Sequence, residues 1–240
     1  MAICDHDEAT LAATAETLSG EVFAQTLDVR DRHGQMAFAA AVKDWAPAPL
    51  GLVVNNAGVT VSQPAANAAP EDDEWVFDVN FWGVVHGTRA YLPILLEQDS
   101  GVIVNVSSVF GLIGWPTQSA YCASKFAVRG YTESLRHELR DSGVDAVTVH
   151  PGGIKTNIVR NSRFHSDDRG RTDRRELERD FANVAKTTPE KAAETIHTGI
   201  ESGKDRILIG PDATALSTLV RAVPVRYFNV IKRLEPIVRR

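Results

Sequence analysis

Sulfur is scarce in this sequence. Cys4 and Cys122 are its two cysteines, and neither has partners at metal-ligand spacing, so a disulfide framework and a cysteine metal centre are both excluded. No metal site is expected, and the cysteine usage fits a reducing, cytoplasmic compartment. Long apolar runs are lacking too: none approaches the ~18 residues of a spanning helix. The opening residues, MAICDHDEAT, show no basic stretch followed by an apolar run, so they do not read as a signal peptide. Positive charge is not in excess. With 26 Lys and Arg against 31 Asp and Glu, the formal net charge of −5 argues against nucleic acid or an anionic membrane as partner. Internal repeats and low-complexity linkers are absent, which leaves one domain as the economical reading. What is present is ordinary for a globular protein: 240 residues, 43% hydrophobic and 24% charged, enough to bury a substantial core.

Short apolar runs alternate with helical patterns along the whole chain. Strands are expected at 1–4, 21–27, 50–54, 101–107, 144–149 and 206–209, with helices near 6–18, 31–45, 71–97, 118–141, 189–202 and 211–223. The strands are continuously apolar rather than alternating, which means burial on both faces. That rhythm predicts an α/β fold with a doubly wound parallel sheet. The longest irregular stretch, 152–186, holds seven arginines between Arg160 and Arg179 and reads as a lid or a disordered segment. Interspersed acids nearly cancel that charge, which favours a solvated surface over an anion site. In the 71–97 helix, Pro70 precedes four acids, Glu71 to Glu74, which suit the positive end of the helix dipole. The body of this helix is apolar nearly all round, so a second subunit is expected to cover one face.

The stretch 101–139 carries the chemistry. A strand ends at Ser107-Ser108, a glycine-containing loop follows, and a helix then presents Tyr121 and Lys125. Positions i and i+4 share a helix face, so the ammonium can sit beside the phenol and lower its pKa from ~10. A tyrosine tuned in that way exchanges protons near neutral pH. Ser108, thirteen residues before Tyr121, can hydrogen-bond the reacting oxygen. A YxxxK pair alone is common on surface helices and carries little weight. The full string NVSS, then Tyr121-Cys-Ala-Ser-Lys125, resembles the active site of the short-chain dehydrogenase/reductase family, and the resemblance spans nearly the whole chain. Asn55-Asn56-Ala57-Gly58 matches the family's NNAG motif, Asn80 in DVNFWG its helix asparagine, and Pro151-Gly152 its Pro-Gly motif.

The resemblance implies a Rossmann-like domain that transfers a hydride between a nicotinamide cofactor and an alcohol or ketone. Tyr121 would be the acid/base, Lys125 would lower its pKa and hold the nicotinamide ribose, and Ser108 would orient the substrate oxygen. Asn80 would tie the lysine to a chain of waters, and it also suits a helix-interior asparagine satisfied by backbone. Asn56, Ala57 and Gly58 would face the cofactor, and Ile154 and Thr156 would contact the carboxamide beyond Pro151 and Gly152. Asp5, after the first strand, would accept the adenosine ribose hydroxyls and repel a 2′-phosphate, which favours NAD over NADP. Asp5 equally suits a helix N-cap. Asp28-Val29 resembles the pair that holds adenine, although Asp28 could also cap a helix.

One family feature is missing: no TGxxxGxG turn precedes Asp5. The chain is therefore expected to lack roughly thirty residues of strand, turn and helix, so that strands 2 and 3 of the family order are parted from strand 4. This keeps a rival reading open, a catalytically impaired relative acting as a dimer partner or scaffold. Non-redox dehalogenation on the same scaffold is a third, but relatives with that chemistry replace the lysine that stands here as Lys125. The apolar residues after Ser108 (Val109, Phe110, Leu112, Ile113, Trp115) point to a hydrophobic alcohol or ketone, or else simply anchor the loop. A homodimer or homotetramer is implied. The tail 221–240 has a local excess of five positive charges, and Tyr227, Val230, Ile231 and Leu234 recur at helical spacing. Pro224 and Pro236 limit a helix there to about three turns, so the tail is expected to pack on protein rather than on a membrane.

Overall fold

The apolar runs become strands and the intervening windows become helices. A computed structural model describes residues 1–238. In chain order these form β1 (Ala2–Asp5), α1 (Glu8–Thr17), β2 (Phe23–Thr26), α2 (Arg32–Trp45), β3 (Leu52–Asn55), β4 (Val61–Ser62), α3 (Pro70–Phe77) and α4 (Gly83–Glu97). The second half contributes β5 (Gly101–Val106), α5 (Ser119–Glu138), β6 (Val144–Pro151), β7 (Arg163–Phe164), α6 (Arg174–Val184), α7 (Pro189–Glu201), β8 (Arg206–Ile209), α8 (Pro211–Ala222) and α9 (Tyr227–Val238).

Four parallel strands lie in the order β3-β5-β6-β8, and β1-β2 form a separate parallel pair. Residues at one level of the larger sheet line up as Asn55, Asn105, Thr148 and Arg206. On one face Val53, Ile103 and Ala146 pack against Leu95 of α4 and Leu135 of α5. On the other, Val104, Val147, Val149 and Ile207 meet Ala192, Ile196 and Ile200 of α7. Helices on both sides explain why these strands carry few outward-facing polar residues. The smaller sheet is tied to the body through α2, where Leu27, Phe38 and Val42 pack with Leu50 and Tyr91. Between the described residues of β1 and β3 there is no hydrogen-bonded pairing, as the sequence led us to expect. Each strand therefore has an open edge, and Leu52 and Val54 of β3 stay 48% and 45% exposed.

Several sequence expectations change in detail. The helix anticipated over 71–97 is two helices joined by a π-helical turn, Asp78–Trp82. Val76, Val79, Val84 and Val85 are buried within this one chain, so most of its apolar surface is already covered, while Trp82 remains 45% exposed. The stretch 152–186 is not merely irregular. It contains β7 and α6, and β7 pairs with β4 in a two-residue parallel ladder. Arg171 links Asp167, Glu176 and Asp180 within it, so many of its charges neutralise one another locally. Neither Asp5 nor Asp28 caps a helix: Asp7 caps α1 and Asp31 caps α2. The tail forms α9, whose Tyr227 hydroxyl accepts from Gly114 N at 2.8 Å. Arg239 and Arg240 of the basic tail, and the Leu234 side chain, lie outside the described residues. Among the described residues no helix is long and apolar enough to cross a membrane.

Candidate active site

The site forms where β5 ends against α5. Ser107 Oγ donates to the Lys125 carbonyl at 2.8 Å, drawing the strand end onto the helix. Gly111 permits this approach, because a Cβ there would collide with Ser107 Oγ and stand 2.8 Å from the Lys125 carbonyl. Ser108 then enters a single 3-10 turn, its Oγ accepting from Phe110 N at 3.1 Å. Along α5 the buried residues Tyr121, Ser124, Lys125, Val128, Thr132 and Leu135 follow helical spacing, so Tyr121 and Lys125 share the inward face.

Lys125 is 2% exposed, and its Nζ donates to the Val106 carbonyl at 3.0 Å. This Nζ lies 5.8 Å from the centre of the Tyr121 ring. Burial pushes the Tyr121 phenol up to about 12, while hydrogen bonding with Ser108 pulls the other way. The direction is opposite to the sequence expectation, because desolvation outweighs the hydrogen bonding with Ser108. Burial also lowers Lys125 to about 8.

Asn80 sits in the π-helical turn, fully buried. Its Nδ2 donates to the Val59 carbonyl at 2.9 Å and to Ser124 Oγ at 3.1 Å, and its Oδ1 accepts from Val59 N at 2.8 Å. The asparagine thus clamps the chain after Asn55-Gly58 to the helix that carries Tyr121 and Lys125. A Cβ on Gly58 would stand 3.3 Å from Lys125 Nζ and 3.5 Å from Asn80 Oδ1. Asn56, Ala57 and Gly58 are exposed beside this point. Asn55 itself is held from behind, donating to Asn105 Oδ1 at 2.8 Å, and Asn105 in turn donates to Thr132.

At the end of β6, Gly152 N donates to Ile209 O and Gly153 N to Asp212 Oδ2 at 2.7 Å. Ile154 is buried and bridges to Thr187, whereas Thr156 is exposed. Asp5 stands at the end of β1 with Oδ1 accepting from Asp7 N at 2.9 Å. Asp28 is bound to Arg30 through Nε and Nη2, and Val29 packs where α4 begins, at Gly83. The structure therefore brings Ser108, Tyr121, Lys125, Asn80 and Gly58 together, while Asp5 ends β1 and Asp28 follows β2 of the neighbouring two-stranded sheet.

Two features escaped the sequence. Asp212 fixes the Pro151-Gly152 loop, and its only signal was an acid in the first turn of a helix after Pro211. Phe110 stacks on Trp115 with ring centres 5.9 Å apart and meets Tyr121 edge-on at 6.1 Å. Trp115 in turn meets Phe228 of α9 edge-on at 5.8 Å. The sequence hinted at the first pair through apolar loop residues but gave nothing for the contact with the tail.

The buried ammonium also tests whether a nicotinamide nucleotide fits. Lys125 Nζ has three N–H donors and one protein acceptor among the described residues. Beside it Gly58 leaves its surroundings uncovered where a Cβ would intrude, an arrangement suited to ribose hydroxyls approaching from the carboxyl ends of the strands.

A family profile described as short chain dehydrogenase matches residues 1–167. A putative oxidoreductase, SadH, of Mycobacterium tuberculosis is 39% identical over 239 residues, covering 96% of this chain and 84% of that protein. A short chain dehydrogenase/reductase from Burkholderia phymatum, solved in complex with NAD, superposes with a TM-score of 0.80 at 30% identity, over 92% of this chain and 83% of that one. A short chain dehydrogenase from Burkholderia cenocepacia, solved with NADP, gives 0.70 at 26% identity, over 85% and 76%.

Proposed function

The chain belongs to the short-chain dehydrogenase family, and on that premise we propose that it interconverts an apolar secondary alcohol and its ketone with a nicotinamide cofactor. The observation that carries this reading is the convergence of Ser108, Tyr121 and Lys125 at the carboxyl end of β5, with Asn80 clamping the facing loop. A bound nicotinamide nucleotide supplies hydride acceptance or donation. Every other part falls to the chain. Tyr121 Oη takes the hydroxyl proton as an alcohol is oxidised and returns it when a ketone is reduced. Ser108 Oγ–H donates to the reacting oxygen as charge gathers there. Lys125 holds the ribose and supplies the positive charge that makes a transient phenolate tolerable, against the burial that otherwise keeps the phenol protonated. Phe110 and Trp115 form an aromatic wall beside the phenol and favour apolar substrates. The segment 152–186 covers the site as a lid, and the remaining cofactor contacts come from Asn56, Ala57, Gly58, Pro151, Gly152, Ile154 and Thr156.

The test is NAD-linked oxidation of a series of secondary alcohols from 2-butanol to 2-decanol. Tyr121→Phe should lower kcat by a factor of ~10²–10⁴, the contribution of a positioned acid/base, with nucleotide binding retained. Lys125→Ala should impair both. A Tyr121→Phe enzyme keeping more than about a tenth of wild-type rate overturns the assignment.

NAD is the proposed cofactor over NADP, on the ground that Asp5 Oδ2 has no partner among the described residues and can accept ribose hydroxyls. Kinetics with both nucleotides decide this. Asp5→Ala should narrow the preference, and a native preference for NADP would reject it. A second reading, a catalytically impaired scaffold or dimer partner, is favoured by the break between β1 and β3, which interrupts the nucleotide-facing edge of the sheet. Nicotinamide fluorescence titration separates the two, since a scaffold would leave the fluorescence unchanged.

A further inference from the structure

His150 is fully buried, yet its imidazole makes one hydrogen bond, between Nδ1 and the Ser108 carbonyl at 2.8 Å. A carbonyl only accepts, so Nδ1 carries the proton. In the neutral ring Nε2 is then a bare acceptor, and it has no partner among the described residues. Burying an unpaired ring nitrogen is costly, and a leucine of similar volume would avoid that cost. What the histidine provides and leucine cannot is the bond to Ser108.

That bond reaches a strategic atom. Ser108 is the first residue beyond the β5–β6 ladder, whose last link is Ser107 N to Val149 O at 2.8 Å. Its carbonyl also accepts from Gly111 N at 2.9 Å, so His150 holds it from β6 while the 3-10 turn holds it from ahead. Ser108 Oγ accepts from Phe110 N, which leaves its hydroxyl hydrogen to be directed toward the Tyr121 phenol. The peptide orientation at Ser108 therefore sets where that hydrogen points. His150 shares the α5-facing side of β6 with Thr148. The charged groups acting on it are Arg206 on β8 and Arg129 and Glu133 on α5, and the bond between Arg206 and Glu133 ties β8 to α5.

We propose that His150 is a positioning residue: its Nδ1–H fixes the Ser108 carbonyl and thereby the placement of the Ser108 hydroxyl against Tyr121. The inference rests on the Ser-Tyr-Lys reading above, and the test keeps the two apart without needing a substrate. The ¹³Cζ resonance of Tyr121, identified by its loss in Tyr121→Phe, reports the hydrogen bond to the phenol at pH 7. Ser108→Ala should shift it, and His150→Leu should shift it in the same direction. His150→Asn should leave it at the wild-type position, because asparagine Nδ2 stands on Cγ where histidine Nδ1 does. His150→Gln, whose amide is one carbon further out, should behave like the leucine variant and serves if leucine does not fold. In the unmodified protein, long-range ¹H–¹⁵N correlations should show His150 as the Nδ1–H tautomer. Turnover should follow, with kcat reduced ~10-fold by His150→Leu, KM little changed, and His150→Asn close to wild type. An unmoved resonance in Ser108→Ala would remove the underlying site reading and this inference with it. A shift in Ser108→Ala but not in the leucine and glutamine variants, or an Nε2–H tautomer, would overturn this inference alone.

Discussion

At the scale of single residues, burial decides the electrostatics of the site more than charge pairing does. His150 shows this with a consequence for stability. Its burial, with Arg206 and Arg129 nearby, brings its pKa from 6.5 down to about 4, so the folded chain refuses a proton that the unfolded chain accepts between those values. The unfolded state then binds more protons, and stability falls as pH drops from 6.5 toward 4 by on the order of 3 kcal/mol. Urea denaturation across that window should reveal the slope, and His150→Asn should remove most of it. An identical slope in both proteins would mean that other groups govern acid sensitivity. That Tyr121 and Lys125 share a face was legible from their i,i+4 spacing, but it was the full string from Asn105 to Lys125, not the pair, that singled them out. The rise in the phenol's pKa was not legible, because it depends on how much protein surrounds the ring. His150 was illegible for a related reason: nothing local tells that the residue before Pro151 faces inward beneath Ser108.

Among the elements, strands were easier to foresee than the structure between 152 and 186. Continuous apolar runs such as VIVNV announce a two-faced strand, whereas RRELERDFANV becomes α6 with only a narrow apolar stripe, Leu177, Phe181 and Val184, in a mostly charged sequence, and β4 and β7 are two residues each, below the reach of any periodicity. Long-range polar contacts hold this region instead. Asp72 on α3 accepts from Arg163 at 2.7 Å and pairs with His165 at 2.7 Å, and the Arg163 guanidinium lies 4.0 Å from the centre of the Trp75 ring. Burial alone would raise the Asp72 pKa, but the bonds from Arg163 and His165 outweigh it and the carboxylate is lowered. Asp72→Ala should leave both partners without their acceptor, cost ~1–3 kcal/mol, and speed trypsin cleavage within 152–186. Cleavage at the wild-type rate would show that the β4–β7 ladder holds this segment without help from Asp72.

Over the whole molecule the four-stranded sheet and the β1–β2 pair differ in how they are secured. β5 and β6 are flanked by strands on both sides and by helices on both faces, while β1 and β2 rest on the body mainly through α2. Amide hydrogen exchange should accordingly be slowest in β5 and β6 and markedly faster in β1 and β2, because the small sheet can open without breaking the central core. Equal protection throughout would indicate one cooperative unit. This division was partly legible: the family's strand order implied a break between β1 and β3, but only the register shows which residues it leaves exposed.

The aromatic rings running from Tyr121 through Phe110 and Trp115 to Phe228 give the molecule an optical gauge. Trp115 touches Phe110 on one side and Phe228 of the C-terminal helix on the other. With Trp45, Trp75 and Trp82 replaced by phenylalanine, its indole emission should register displacement of either neighbour, and a shift in colour on adding an apolar alcohol would read out whether events beside the phenol reach the tail.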